Sequence, residues 1–197
     1  TATWNVGFDY GFLDNRIYGT VDLYKRHTTD LLNTINVISG TNFSSILTTN
    51  IGEMNNKGIE FSINAQPIRM KDLTWDLGLN YTWNTSKITK LNTIDSESNF
   101  VQTGAISGTG KYVQVFMVNK RPYTFYLAKQ AYDNNGKPLE GKYVQPDGSI
   151  SSTETRYATD KSALPKAYLG FNTHVNYKNW YLGLNAHGAF GAYVYNY

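Results

Sequence analysis

The sequence predicts an all-β fold: an antiparallel up-and-down transmembrane β-barrel segment of about six strands with long extracellular loops. Three observations support it. Strand-length runs alternate in polarity, connections alternate between short and long, and no stretch approaches the ~20 apolar residues of a membrane-spanning helix. A transmembrane β-strand needs only about 9–11 residues of alternating polarity, a pattern that the mean hydropathy of −0.44 conceals.

The composition narrows the class of protein. Charged residues make up 17% of the chain, below the roughly 25% of soluble domains, and 16 tyrosines and 17 glycines favour a polar but largely uncharged surface. The net charge of +3 is spread along the chain, so no nucleic-acid partner is expected. The absence of cysteine excludes disulfides, thiol nucleophiles and cysteine-based metal centres.

The first two predicted strands form a hairpin. Residues 2–12 place aromatic and aliphatic side chains on one parity and small or polar side chains on the other. Residues 13–16 have the composition of a turn, and the alternation resumes over 17–24. A long extracellular loop is predicted over 28–55, because this interval is rich in Asn, Thr, Ser and Gly.

The third and fourth strands are predicted at 58–66 and 73–84. Pro67 is expected to end the third strand, because proline cannot donate a ladder hydrogen bond. The fourth alternates over its whole length, with Trp or Tyr at both rims of its apolar face. Residues 1–87 therefore form the first predicted region, which holds four barrel strands and the loop 28–55.

A long extracellular insertion is predicted over 88–165, with a small hairpin that turn signals at 133–138 and 145–149 indicate. Residues 166–197 hold the fifth strand, predicted at 167–177, and the sixth strand, and a short link at 178–179 joins the two. Short links at one end of the strands and long connections at the other are typical of outer-membrane barrels, whose periplasmic turns are short.

The alternation assigns one face of each strand to lipid and the other to the barrel lumen. Aromatic rings at the rims predict interfacial girdles, because amphipathic rings suit the depth of the lipid headgroups. The predicted lipid-facing and girdle residues are Trp4, Trp75, Leu77, Leu79, Tyr81, Trp83, Tyr177 and Trp180. The predicted lumen-facing residues of the third and fourth strands are Glu60, Ser62, Asn64, Asp76 and Asn80.

The chain is predicted not to be an enzyme and to need no metal or cofactor. Ser and Thr are abundant, but neither a G-x-S-x-G elbow nor a His/acid partner set accompanies them. His174 and His187 lie on the polar parity of neighbouring strands. Polar lumen residues explain them better than a metal site does, because the nearby side chains are Asn and Tyr.

The insertion holds the candidate ligand contacts. Aromatic side chains there are interleaved with amides, carboxylates and lysines, which suits stacking on sugars or gripping of peptides. The same composition also suits a loop that packs around its own tyrosines. The first candidates for substrate binding are Arg121, Tyr123, Phe125, Tyr126 and Tyr132.

Ordered motifs along nearly the whole chain resemble the SusC/RagA branch of TonB-dependent outer-membrane transporters. The first motifs are Asn5-x-Gly-x-Asp9, Arg16-x-Tyr-Gly-x-Val-Asp22-Leu-Tyr24 and Asn50-Ile-Gly52-x-Met54-x-Asn56-x-Gly58-Ile-Glu60. The later motifs are Arg121-Pro122-Tyr123-Thr-Phe125-Tyr126, Gly136-Lys-Pro138-Leu, Leu164-Pro165-Lys-Ala-Tyr-Leu-Gly170 and Gly191-Ala-Tyr-Val-Tyr195-Asn196. Their order makes the set more specific than any single motif.

The resemblance implies a plugged barrel of about 22 strands, of which this chain is a partial segment from the C-terminal half. It also implies a SusD-like surface lipoprotein as a partner, and the TonB complex acting through the missing N-terminal region. The implied function is TonB-dependent import of glycans, oligosaccharides or peptides across the bacterial outer membrane. A soluble or surface-attached β-rich carbohydrate-binding module and a passive porin-like barrel are alternatives that also explain the alternation.

Overall fold

The computed structural model describes residues 1–36, 46–91 and 100–196. Thirteen β-strands are present in these residues, and no helix among them is long and apolar enough to span a membrane. The strands are β1 Ala2–Phe12, β2 Ile17–Asn36, β3 Ile46–Arg69, β4 Leu73–Leu91, β5 Phe100–Ala105, β6 Tyr112–Met117, β7 Thr124–Leu127, β8 Lys129–Tyr132, β9 Pro138–Val144, β10 Ile150–Ser151, β11 Tyr157–Ser162, β12 Ala167–Tyr177 and β13 Trp180–Phe190.

The strands of the described ranges form three sheets. The large sheet has the order β1-β2-β3-β4-β12-β13, the second sheet β11-β7-β6-β5, and the third sheet β10-β9-β8. The strand pairs whose residue register is described are antiparallel, for example β1 with β2 and β12 with β13. This confirms the predicted all-β, antiparallel fold class. Within the described residues β1 and β13 are the edges of the large sheet, which is open and does not close into a barrel.

The chain divides into two compact units. The first unit comprises residues 1–31, 53–87 and 164–192, and the second unit comprises 32–52, 88–163 and 193–197. The buried hydrophobic side chains of the described residues all belong to the second unit, and they are Ile88, Val113, Val115, Phe125 and Ala131. The edge strands β1 and β13 instead expose large apolar side chains. An apolar surface of this kind is characteristic of an interaction or membrane face.

The two hairpins of the first unit have tight connections. The β1–β2 ladder runs from Ala2 opposite His27 to Phe12 opposite Ile17, and Leu13, Asp14 and Asn15 in the turn adopt left-handed φ angles of 54°, 54° and 60°. The β12–β13 ladder ends with Tyr177 opposite Trp180. Both hairpins therefore follow the alternation that their sequences show.

The strands around the first predicted loop are longer than the prediction. Within the interval 28–55, residues 28–36 belong to β2 and 46–55 belong to β3, while residues 37–45 lie outside the described part. The threonines of this interval favour strands through their branched side chains, but polar residues on both parities leave no alternation to detect. The fourth strand likewise continues to Leu91, beyond the predicted start of the insertion.

Pro67 does not end β3, contrary to the prediction. The ladder is paired before it, where the Gln66 amide donates to the Arg16 carbonyl at 2.7 Å. The strand continues to Arg69, and immediately after it the Met70 backbone amide donates to the Leu73 carbonyl at 2.8 Å, which closes the connection to β4. Proline removes one donor from a strand, and the pairing on either side keeps the strand continuous.

The third sheet occupies the part of the insertion for which a small hairpin was predicted. Asp133 closes the first turn by accepting hydrogen bonds from the amides of Asn135 and Lys137 at 2.9 and 2.8 Å. In the second turn, the hydroxyl and the backbone amide of Ser149 both donate to the Asp147 carboxylate. These bonds, the hydroxyl bond more than the amide bond, lower the pKa of the Asp147 carboxyl below its usual value. Aspartate at these positions stabilises turns by this type of bond.

Gly19 lies where two strands approach closely. A Cβ atom on Gly19 would collide with the carbonyl oxygen of Ser62, and it would lie 2.6 Å from the Tyr10 hydroxyl oxygen. That hydroxyl donates to the same Ser62 carbonyl at 2.9 Å. Glycine therefore gives Tyr10, its cross-strand neighbour on β1, access to β3.

Replacing Gly19 with alanine should destabilise the complete protein by about 1–3 kcal/mol, because the obstructing carbonyl belongs to the backbone. Gly170→Ala is the matched control, since the nearest atom to its added Cβ would be Asn80 Cβ at an ordinary 3.8 Å. Urea unfolding of both variants in detergent checks the prediction. Equal loss of stability in the two variants would contradict it.

Candidate functional site

One face of the large sheet gathers polar side chains from β1, β2 and β3, and we call it the polar face. Its β1–β2 register pairs are Thr3 with Arg26, Asn5 with Tyr24, Gly7 with Asp22 and Asp9 with Thr20. The hydroxyls of Thr20 and Ser62 lie 2.8 Å apart, which places even-numbered positions of β3 on the same face. Further along, the side-chain amide of Gln66 donates to the Asp76 carboxylate at 2.9 Å.

An open cavity of about 520 Å³ lies on the polar face, within the first unit. Its lining residues are Thr3, Asn5, Asp22, Tyr24, Arg26, Asn56 and Glu60. Arg26 Nε donates to Thr3 Oγ1 at 3.3 Å. Asn56 Oδ1 is buried, and none of the described residues donates a hydrogen bond to it.

Two glycines bring the cavity side chains close to the neighbouring strands. A Cβ on Gly7 would lie 2.6 Å from Asp22 Oδ1, and a Cβ on Gly58 would lie 2.6 Å from the Tyr24 hydroxyl oxygen. Because glycine has no side chain, the Asp22 carboxylate can lie over Gly7 and the Tyr24 ring over Gly58, in space that the Cβ of any other residue would occupy. The result is a dense set of donors and acceptors on an accessible wall.

The chemistry of the cavity suits binding by hydrogen bonds. Asp22 and Glu60 supply carboxylate acceptors, Arg26 supplies fixed donors, and the Asn and Tyr side chains supply both. Such a mixture can bind the hydroxyls of a sugar or the amides of a peptide. The sequence named Glu60 as lumen-facing, and its alternation placed Thr3, Asn5, Asp22 and Tyr24 on the polar parity of their strands. Arg26 and Asn56 lie outside the predicted strands, and the convergence of the whole set requires the pairing of β2 with β3.

The histidines of the described strands do not converge. His174 lies opposite Asp76 on one side and Gly183 on the other, and its ring stacks on Tyr181 with 5.8 Å between centroids. His187 lies opposite Gly170. In the described part of the chain, no three His, Asp or Glu side chains form a group that could hold a metal ion.

The predicted ligand contacts of the insertion lie in different surroundings. Phe125 is in the interior, with 4% of its surface exposed. Tyr123 has a left-handed φ of 56°, is 39% exposed and meets the Phe116 ring edge-on at 5.0 Å between centroids. Tyr123 is therefore held in place by a neighbouring ring while part of its surface remains accessible.

The other three candidates are equally diverse. The Tyr126 ring packs against Phe100 at 4.8 Å, and the Nε and Nη1 atoms of Arg121 are buried. Tyr132, in the third sheet, is 58% exposed. Tyr123 and Tyr132 are thus the most exposed of the five, and Phe125 contributes to packing.

The residues predicted as lipid-facing or girdle residues share the opposite, apolar face of the large sheet. The register pairs on this face include Trp75 with Val175, Leu77 with Thr173, Leu79 with Phe171, Tyr81 with Leu169, Trp83 with Ala167 and Tyr177 with Trp180. The Trp75 indole donates to the Thr173 hydroxyl at 2.9 Å. Trp4 and Trp180 are 79% and 78% exposed, so their rings project from the sheet.

Comparison with known proteins identifies the family of this chain. A family model described as "TonB dependent receptor-like, beta-barrel" matches residues 1–196. The TonB-dependent receptor SusC of Bacteroides thetaiotaomicron is 41% identical over 197 residues, which cover 99% of this chain and 20% of that protein. TonB-dependent receptor P3 of Formosa agariphila is 28% identical, covering 98% of this chain and 20% of that protein.

Solved structures show the same fold. The RagAB peptide importer in its closed-closed state aligns with a TM-score of 0.76 and 25% identity, covering 96% of this chain and 21% of that chain. The RagAB peptide transporter aligns with a TM-score of 0.71 and 24% identity, covering 93% of this chain and 20% of that chain. The chain spans about a fifth of the length of these relatives. It belongs to the TonB-dependent receptor β-barrel family, and within that family it is similar to SusC.

Proposed function

We propose that this chain forms part of the barrel wall of a TonB-dependent importer in the bacterial outer membrane. The observation that carries the proposal is the two-faced large sheet, with a hydrogen-bonding cavity on one face and exposed aromatic side chains on the other. In a barrel, the polar face would line the lumen and the apolar face would contact lipid. Family membership supports this arrangement.

The proposed substrates are glycans, oligosaccharides or peptides, which this wall would bind without making or breaking bonds. A SusD-like surface lipoprotein would act as partner, and the TonB complex would act through a part of the protein outside this chain. SusC among the relatives, and RagAB described as a peptide importer, support these proposals. The amides, carboxylates and guanidinium of the cavity suit hydroxyl-rich and peptide ligands alike.

The proposed membrane orientation follows from the turns of the first unit. The turn at 13–16 and the link at 178–179 are short, as periplasmic turns are, so the remote ends of β1 and β12 would face the cell exterior. A soluble module would need a second sheet to cover the apolar face. The exposure of Trp4, Phe8 and Leu182 instead supports contact with lipid.

The double variant Asp22→Asn and Glu60→Gln in the complete transporter tests the cavity. Because hydrogen bonds to charged groups contribute about 1.5–3 kcal/mol each, substrate binding should weaken by about tenfold or more at unchanged abundance. Asp9→Asn is the matched control, since it removes a carboxylate from the polar face outside the cavity. Binding and uptake of oligosaccharide and peptide panels are the measurements.

The same assay separates the candidate functions. An importer should lose uptake when TonB or the neighbouring surface lipoprotein is deleted. Uptake that persists without TonB would favour the passive barrel. Wild-type affinity in the double variant would remove the cavity from the proposed binding wall, and Tyr123 and Tyr132 would then be the next positions to substitute.

A further inference from the structure

We propose that the apolar face of the first unit carries a binding site for a phosphorylated, acylated glycolipid of the outer leaflet. The proposal rests on the membrane orientation proposed above, but it concerns the face opposite to the substrate cavity. Its basis is a groove of about 370 Å³ on β1–β4, lined by three aliphatic residues, two lysines and two tryptophans among others.

The aliphatic part of the groove suits an acyl chain. Val6 on β1 lies directly opposite Leu23 on β2, and Ile59 on β3 lines the same groove. All three side chains are exposed in the structure. An extended acyl chain lying along these three side chains would cover their apolar surface in place of the less ordered lipid that otherwise surrounds the protein.

The charges at the groove suit a phosphate. Lys25 lies opposite Trp4 in the β1–β2 register, and Lys57 lines the groove from β3. Both lysines are exposed, and no Asp or Glu is among the described residues that line the groove. Two ammonium groups without a carboxylate between them attract an anionic headgroup. Each lysine at the membrane surface adds to that electrostatic attraction.

The aromatic rings favour a glycolipid over a phospholipid. Trp4 and Trp83 line the groove together with the lysines, and flat indole rings offer a surface on which a sugar can stack. Trp4 lies near the start of β1, whereas the short turn at 13–16 follows the other end of that strand. In the proposed orientation, the lysines and tryptophans therefore lie at the headgroup level of the outer leaflet, where the lipid carries both sugar and phosphate.

The test uses the complete transporter and phosphorylated lipid A, with native mass spectrometry to measure binding. Lys25→Gln combined with Lys57→Gln should weaken binding of phosphorylated lipid A by about tenfold or more. Lipid A without its phosphates should bind equally to both proteins. The matched control is Lys71→Gln with Lys178→Gln, which removes two exposed lysines near the short turns and should leave binding unchanged.

Two outcomes would overturn the proposal. One is equal binding of phosphorylated lipid A by wild type and the Lys25/Lys57 variant; the other is phosphatidylglycerol binding as tightly as lipid A. Heat-dependent gel migration confirms that each variant is folded. Uptake measured on the same proteins distinguishes the lipid-site proposal from the proposed import function. A protein that transports normally but shows no preference for phosphorylated lipid A would refute only the lipid site.

Discussion

Replacing Leu79 with arginine in the complete transporter is expected to reduce the free energy of unfolding by about 2–4 kcal/mol, the cost of arginine on the lipid face at mid-membrane. Leu79 lies midway between Trp75 and Trp83 on the apolar face of β4, opposite Phe171. If these tryptophans mark the two interfaces, Leu79 is at the greatest distance from water. Urea unfolding in lipid vesicles measures the change.

The control for this prediction is the next residue along the strand. Asn80→Arg introduces the same side chain at the same depth, but on the polar face, where Asn80 is exposed opposite Gly170. Its effect should be small, because a lumen-facing arginine stays hydrated. A larger cost for Asn80→Arg than for Leu79→Arg would reverse the assignment of faces, since a one-residue shift exchanges them.

Phe125→Ala should reduce the stability of the second unit by about 3–5 kcal/mol, the usual cost of removing a buried phenylalanine ring. Phe125 lies opposite Gln114 in the second sheet and is almost completely buried. The expected result is greater protease sensitivity of the insertion and lower abundance of the transporter. Limited proteolysis with quantitative immunoblotting detects both.

Tyr132→Ala provides the comparison, because this ring is exposed and should contribute little to folding. If the insertion binds substrate through its exposed rings, Tyr132→Ala should weaken binding at normal abundance, whereas Phe125→Ala should act through abundance. Normal abundance and protease resistance in Phe125→Ala, together with weaker binding, would show that this ring contacts ligand after all.

Alternating polarity was a reliable guide where one face of a strand is apolar. The runs at 2–12 and 167–177 coincide with β1 and β12, and the short links at 13–16 and 178–179 join the hairpins. The signal failed in the threonine-rich stretches of β2 and β3, because polar residues occur there at both odd and even sequence positions. It also failed at Pro67, where neighbouring hydrogen bonds keep the strand continuous.

The polar cavity illustrates what alternation cannot supply. Parity places Asp22 and Glu60 each on the polar side of its own strand, but it does not say which residues of different strands are neighbours. The pairing of Thr20 with Ser62 answers that question, together with the glycines that let Asp22 and Tyr24 lie across adjacent backbone. In the insertion, the aromatic composition likewise did not distinguish the buried Phe125 from the exposed Tyr132.

The amino-acid sequence by itself determined the all-β class, the two faces of the large sheet and the family resemblance. These properties depend on residue type and on the period-two geometry of a single strand, which are local. Only the tertiary structure decided the length of β2 and β3, the membership of the polar cavity, the groove with Lys25 and Lys57, and the burial of Phe125. Each depends on register and packing between residues far apart in the chain, where close approach of backbones and rings selects one arrangement.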